Sequence, residues 1–221
     1  MLHRLWITFI RFCFHHFYNT FAFTYDFVSA VVSRGHWRAW TRAAIPYIRG
    51  TRVLEIPCGT GNLLVDLHTA GLAPIGVDLS SSMLHITQRK ARFLETFHGM
   101  SLKIARARAQ QLPFPGQSFD SIVMTFPPGF VRDPRVLAEF QRLLADDGRL
   151  IWVDAGRLLP HDVYSRLLNL AFDVVDGSDY FIDGATKLLM HAEFDVKIET
   201  VRDEASVVMV AIARKQSTVN S

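Results

Sequence analysis

Up to Gly50 the apolar positions follow a helical period, and beyond it they gather into short runs separated by polar turns. Leu2, Leu5, Trp6, Phe9, Phe12, Cys13, His16 and Phe17 share one stripe, with Arg4, Thr8, Arg11 and His15 opposite. That spacing predicts an amphipathic helix. Further helices are expected over Ala22–Ser33 and Trp37–Ile48, stopping near Gly35 and Gly50. From Arg52 on, strand and helix signals alternate. Strands are predicted at Arg52–Ile56, Pro74–Val77, Leu102–Ala107, Phe119–Thr125 and Arg149–Val153. The helices between them cover Asn62–Thr69, a stretch capped by Ser80 or Ser81 and reaching Phe97, and a run opened by Asp133-Pro134 and ending at Ala145. Pro160–Phe172 and Gly184–His191 read as helices, and Phe194–Thr200 and Val207–Ala213 as two last strands.

This order predicts an α/β fold, a Rossmann-like, doubly wound, seven-stranded, mostly parallel sheet preceded by N-terminal helices. The loop between the last two strands is too short for a parallel crossover, so they should pair antiparallel. The expected organisation is a helical extension or lid over 1–49, a domain over 50–215 and a small polar tail over 216–221. The chain has 221 residues, 49% hydrophobic and 20% charged, which excludes general disorder.

Net charge is only +3, and the basic residues are dispersed, so a nucleic-acid footprint is not expected. Cys13 and Cys58 show neither a disulfide framework nor metal-ligand spacing, which points to a reducing cytoplasm and no metal. Arg4 and Arg11 break the apolar N-terminus well short of the ~20 residues of a membrane span. Arg11 also cuts short any signal-peptide core. The aromatic-rich start has three readings: extra core, a lid in which Tyr18 and Tyr25 line the site, or an interfacial helix giving residues 1–20 peripheral membrane contact.

The most informative segment joins the first strand to its helix: Glu55-Ile56-Pro57-Cys58-Gly59-Thr60-Gly61. Gly59 and Gly61 lack a Cβ, so a ligand can lie against the backbone at the sheet edge where open α/β folds bind. A dinucleotide fingerprint would need a third glycine where Leu64 stands. Glu55 would repel a pyrophosphate but suits a ligand carrying an ammonium and a sulfonium, which favours S-adenosylmethionine over a nicotinamide dinucleotide. Asp78, at the tip of the second strand, can accept hydrogen bonds from both hydroxyls of a ribose.

These segments resemble the class I S-adenosylmethionine-dependent methyltransferase family. Glu55–Gly61 is similar to its first motif, Gly76-Val-Asp-Leu-Ser-Ser-Ser-Met-Leu84 to its second-strand motif, Leu112–Asp120 to the segment before its fourth strand, and Glu139–Gly148 to its fourth helix and following turn. The resemblance implies methyl transfer from S-adenosylmethionine. It implies that Glu55, Pro57, Cys58, Gly59, Thr60 and Gly61 border the methionine part and that Asp78 holds the ribose. Leu79 and Met83 would flank the adenine, Ala109 would offer its backbone at the ring edge, and Thr125 and Phe126 would border the transferred methyl. Two positions depart from the family pattern: Pro57 replaces a glycine, and Arg108 stands where many members carry an acid, with stacking on the adenine or, slightly preferred, pointing to solvent as its two readings.

Upstream, Tyr25-Asp26 through Trp40 is similar to the N-terminal region of the ubiquinone/menaquinone-biosynthesis C-methyltransferases, which implies a small, apolar or lipidic acceptor. Thr125-Phe-Pro-Pro-Gly-Phe130 replaces the Gly-Leu-Arg-Asn stretch of that group. Because the sulfonium is an already activated donor, orientation does most of the work and a base is needed only for a protonated acceptor. His36, His161 and His191 are the candidates, with Tyr25 and Tyr180 as positioning groups and no catalytic residue singled out. The competing classes are a nicotinamide oxidoreductase and a scaffold that keeps the fold without turnover.

Overall fold

Alternate residues of the central strands are apolar on both sides, and the sheet they build is covered on both faces. In the computed structural model, which describes residues 24–159, 162–166, 169 and 178–215, the strands are β1 (Arg52–Glu55), β2 (Ala73–Asp78), β3 (Lys103–Arg106), β4 (Phe119–Thr125), β5 (Leu144–Leu158), β6 (Phe194–Arg202) and β7 (Ser206–Lys215). They form one seven-stranded sheet in the order β3-β2-β1-β4-β5-β7-β6. β7 runs antiparallel to both β5 and β6, and the other pairings are parallel.

The helices are α1 (Tyr25–Val32), α2 (Trp37–Arg42), α3 (Asn62–Thr69), α4 (Ser81–His98), α5 (Pro134–Leu143) and α6 (Ser178–His191), with 3₁₀ turns at Ile45–Tyr47 and Gly129–Arg132. On one face Leu54, Ile122, Met124, Leu150 and Trp152 pack with Phe140 of α5 and Leu189 of α6. On the other, Val53, Val123, Ile151, Val153 and Val210 pack with Trp40 of α2 and Leu63 and Leu67 of α3. Each face therefore needs its own apolar series, which is why these strands read as nearly continuous apolar runs.

Local chemistry sets the boundaries. Ser80 caps α4 by accepting from Met83 N–H, and Asp133 caps α5 by accepting from Arg135 N–H, with Pro134 behind it. The helix expected to run on to Ile48 ends at Arg42, and a 3₁₀ turn containing Pro46 follows, since proline has no N–H to donate. β5 is longer at both ends than its sequence pattern indicated. It starts at Leu144 and crosses an irregularity between Asp154 and Arg157 to pair as far as Leu158 with Ser206. Of the helix expected over Pro160–Phe172, residues 163–166 are helical, and its remainder lies largely outside the described residues, as does the helix expected over 2–17.

The chain leaves β1 toward β2 and β3 and later returns to β4 on β1's other side. That reversal opens a crevice at the carboxyl ends of β1 and β4. β6 runs parallel to β5 in direction, so the β6–β7 turn lies at this same edge.

Candidate functional site

β1 delivers Glu55 to the sheet edge, and the chain then turns through Pro57–Gly61 into α3. Gly59 has φ +51° and Gly61 φ +76°, backbone that glycine adopts without steric cost. A Cβ on Gly59 would meet nothing within 4 Å, whereas one on Gly61 would sit 2.5 Å from the Thr87 methyl. The first glycine thus leaves an open surface, and the second allows close packing of the corner on α4. The corner is tied down by its own backbone: Cys58 N–H donates to Val77 O at 2.9 Å and Gly61 N–H to Cys58 O at 2.9 Å. Thr87 Oγ1 donates to Gly59 O at 2.8 Å.

Asp78 joins the corner to β2. Its Oδ2 accepts from Gly59 N–H at 2.9 Å and its Oδ1 from Ser80 N–H at 2.8 Å. Each carboxylate oxygen can accept a second hydrogen bond, so the group retains capacity for two hydroxyls. Burial pushes its pKa upward, against the backbone N–H groups of Ser80, Gly59 and Leu79 that favour the charged form.

Glu55 is 2% exposed, and among the described residues its Oε2 has no hydrogen-bond partner. Burial above all, then the nearby Asp78 and Asp66 carboxylates, hold its pKa well above the ordinary value, with Lys90 partly opposing. A buried carboxylate with one oxygen unpartnered, beside an open glycine corner, fits a cationic ligand, because an incoming ammonium would compensate the desolvated charge.

The linkage has a definite sign. A carboxyl whose folded-state pKa is raised binds more protons folded than unfolded, so its contribution is intact below pH 4.5 and is lost as pH rises through the folded-state value. The ligand-free Glu55→Gln variant should therefore be more stable than the parent at neutral pH. The advantage should shrink toward pH 4.5, as followed by urea denaturation across the range. A difference that does not vary with pH would remove the buried-charge assignment.

The other expected positions are arranged around this core. Thr60 is buried and donates through Oγ1 to Asp26 Oδ1 at 2.6 Å. Leu79 projects at the tip of β2, 52% exposed, beside the corner. Met83, in the first turn of α4, is only 1% exposed. Ala109 is buried in the same core as Ile56 and Val77, and Arg108 is exposed. Thr125 ends β4, and Phe126 follows with φ +46°, its N–H donating to Val153 O at 2.8 Å. A left-handed phenylalanine is sterically costly, and here the ring stacks on Trp37 at 4.4 Å between centroids. Pro57 follows a cis peptide bond, and the buried Cys58 thiol has its pKa pushed up, first by burial.

Of the groups considered as bases, His36 lies at the carboxyl edge, its Nδ1 3.2 Å from Asp203 Oδ2 in the β6–β7 turn. His191 is exposed at the end of α6, where the chain enters β6 at the opposite edge. Tyr25 packs edge-on against Trp37 at 6.1 Å. His161 and the Tyr180 side chain lie outside the described residues. Sequence reasoning missed Asp26, Thr87 and Lys90. Asp26 stood next to the noted Tyr25, whereas a hydroxyl in the middle of α4 carries no local signal.

Residues 53–148 match the family described as a methyltransferase domain. They contain the corner, Asp78, Ala109 and the end of β4. Beyond the domain itself, the chain is similar to the demethylmenaquinone methyltransferase of Symbiobacterium thermophilum, 32% identical over 165 residues that cover 71% of this chain and 62% of that one. It is likewise 32% identical over 141 residues to a ubiquinone/menaquinone biosynthesis C-methyltransferase of Geotalea uraniireducens, covering 61% and 59%. The chain thus spans about three fifths of the length of these curated relatives. Among solved structures, an S-adenosylmethionine-dependent methyltransferase of Thermotoga maritima shares the fold with a TM-score of 0.65 at 21% identity, over 91% of this chain and 99% of that one. The matched residues hold the crevice described above, with Asp26 of α1 bonded to the glycine corner and Trp40 of α2 packed on one face of the sheet.

Proposed function

We propose that the protein transfers the methyl group of S-adenosylmethionine to a small, apolar or lipidic acceptor of the hydroquinone class. The observation that carries the reading is the glycine corner bonded directly to Asp78, with the buried Glu55 beside it, its Oε2 without a partner among the described residues. In this reading Glu55 answers the cofactor's ammonium, the Cys58–Gly61 backbone borders its methionine part, Asp78 holds the ribose, and Leu79, Met83 and Ala109 surround the adenine. Thr125 and Phe126 border the transferred group. The bound cofactor supplies an electrophilic methyl on a sulfonium. The chain's own residues orient it and keep water away, the Phe126, Trp37 and Trp40 rings forming an apolar wall.

A quinol becomes a carbon nucleophile when its hydroxyl loses a proton. His36 is the base in this reading, because Asp203 orients the ring through Nδ1 and leaves Nε2 to accept. Asp203 keeps its pKa below the ordinary value despite burial, through hydrogen bonds from Ala205 and Ser206 and the presence of His36. The class of acceptor follows the names of the curated relatives and the apolar wall. Among the described residues no helix is long and apolar enough to cross a membrane. Incubation with methyl-labelled S-adenosylmethionine and a reduced prenylated naphthoquinone should give a ring-methylated product detectable by mass spectrometry. Label found only on an oxygen or nitrogen acceptor would contradict the hydroquinone assignment.

A further inference from the structure

Helix α1 buries none of its residues, and Phe27 on it is 72% exposed. Apolar burial therefore contributes little to holding it against the domain. Its ties among the described residues include the Tyr25–Trp37 ring contact, a Tyr164 hydroxyl donating to Val31 O at 3.2 Å, and a polar cluster around Asp26. Asp26 Oδ1 accepts from Thr60 Oγ1 at 2.6 Å and from Asn62 Nδ2 at 2.9 Å. Its Oδ2 faces Lys90 Nζ at 3.4 Å, and Lys90 in turn donates to Asn62 Oδ1 at 2.6 Å. Four segments meet here: α1, the glycine corner, the first residue of α3 and the middle of α4.

The corner needs such support. Gly61 is the N-cap of α3, left-handed and without a side chain to hold the helix start. The residues on either side of it, Thr60 and Asn62, are the ones bonded to Asp26. Asp78 and Thr87 fix the corner's backbone, and Asp26 fixes its side chains.

We propose that Asp26 is a positioning residue that latches α1 onto the cofactor corner, so that cofactor binding and docking of the N-terminal helix are coupled. The proposal rests on the S-adenosylmethionine reading given above. A helix without a buried face opens readily, and thermodynamic reciprocity then applies: whatever α1 adds to cofactor affinity, the cofactor adds to α1 docking. The aromatic wall begins soon after α1, at Trp37, so the acceptor side would be completed as the cofactor arrives.

The test uses the full chain and S-adenosylhomocysteine as the probe, titrated calorimetrically into the parent, Asp26→Ala and Asp26→Asn. Amide hydrogen exchange of residues 25–32 and 59–62 is followed with and without the probe. Asp26→Ala should weaken binding about tenfold, within the usual range of such couplings, while global melting stays close to the parent because the Asp26 side chain is 43% exposed. Asp26→Asn keeps an oxygen acceptor and should recover much of the affinity. The probe should slow exchange in 25–32 in the parent and not in Asp26→Ala. Parent-like affinity in Asp26→Ala, or exchange in 25–32 indifferent to a probe that the parent binds, overturns the latch. If the parent binds no probe, the cofactor reading falls instead. The latch then stands or falls on whether Asp26→Ala speeds exchange at 59–62 in the free protein.

Discussion

Asp78→Ala should lose S-adenosylmethionine and S-adenosylhomocysteine binding by about ten- to a hundredfold, since hydrogen bonds to a charged acceptor contribute ~1.5–3 kcal/mol. The loss has two sources. The carboxylate no longer receives the ribose hydroxyls, and Gly59 N–H and Ser80 N–H lose their acceptor, which loosens the corner. Asp78→Asn separates the two. It can accept one of the two backbone bonds but presents a donor where the other N–H points, so it should bind weakly while melting nearer the parent than Asp78→Ala. Calorimetric titration alongside thermal unfolding reads both quantities. Parent-like affinity in both variants would remove the ribose assignment.

Trp40→Ala should be the most damaging single change at the cap, costing ~3–5 kcal/mol as for other buried aromatic truncations. Trp40 is 2% exposed and packs on Val53, Ile151 and Val153, and its Nε1 donates to Ser206 Oγ at 2.9 Å. Ser206 Oγ donates onward to Asp203 Oδ2 at 2.8 Å, the carboxylate that faces His36. Gly156 leaves the room the indole needs, since a Cβ there would lie 2.5 Å from Trp40 Cε3. Truncation should therefore lower the urea midpoint and also free the β6–β7 turn. Trp40→Phe, which keeps an aromatic ring but loses the N–H and part of the indole's area, should cost about 1–2 kcal/mol, for an unsatisfied buried hydroxyl and a small cavity. Equal midpoints for Trp40→Ala and the parent would mean that α2 is not anchored as described.

The central architecture was legible because its signals are local. A strand buried on both faces shows as an apolar run, an N-cap shows as Ser80 or Asp133, and an obligatory left-handed turn shows as Gly59 and Gly61. β4 and α3 begin and end where the pattern placed them. The extension of β5 to Leu158 was hidden because its partner residues in β7 lie some fifty positions away and Ala155-Gly156 interrupts the apolar run. The candidate site divides along the same line. Glu55, the corner and Asp78 are marked by position at strand ends. Asp26, Thr87 and Lys90 are ordinary polar residues on helices, and only the packing of three separate elements brings them to the corner. Phe126 in left-handed backbone was unreadable for a related reason: its conformation is held by Val153 O and by the Trp37 ring, neither of which is near in sequence.

Titration of the whole chain with S-adenosylhomocysteine, with NAD as the comparator, tests the cofactor assignment most directly. Saturable binding of the nucleoside, weakened by Asp78→Ala and by Glu55→Gln, with no response to NAD, is what a corner built around a buried carboxylate predicts. Binding of NAD in preference to the nucleoside, or nucleoside affinity indifferent to both substitutions, would contradict it.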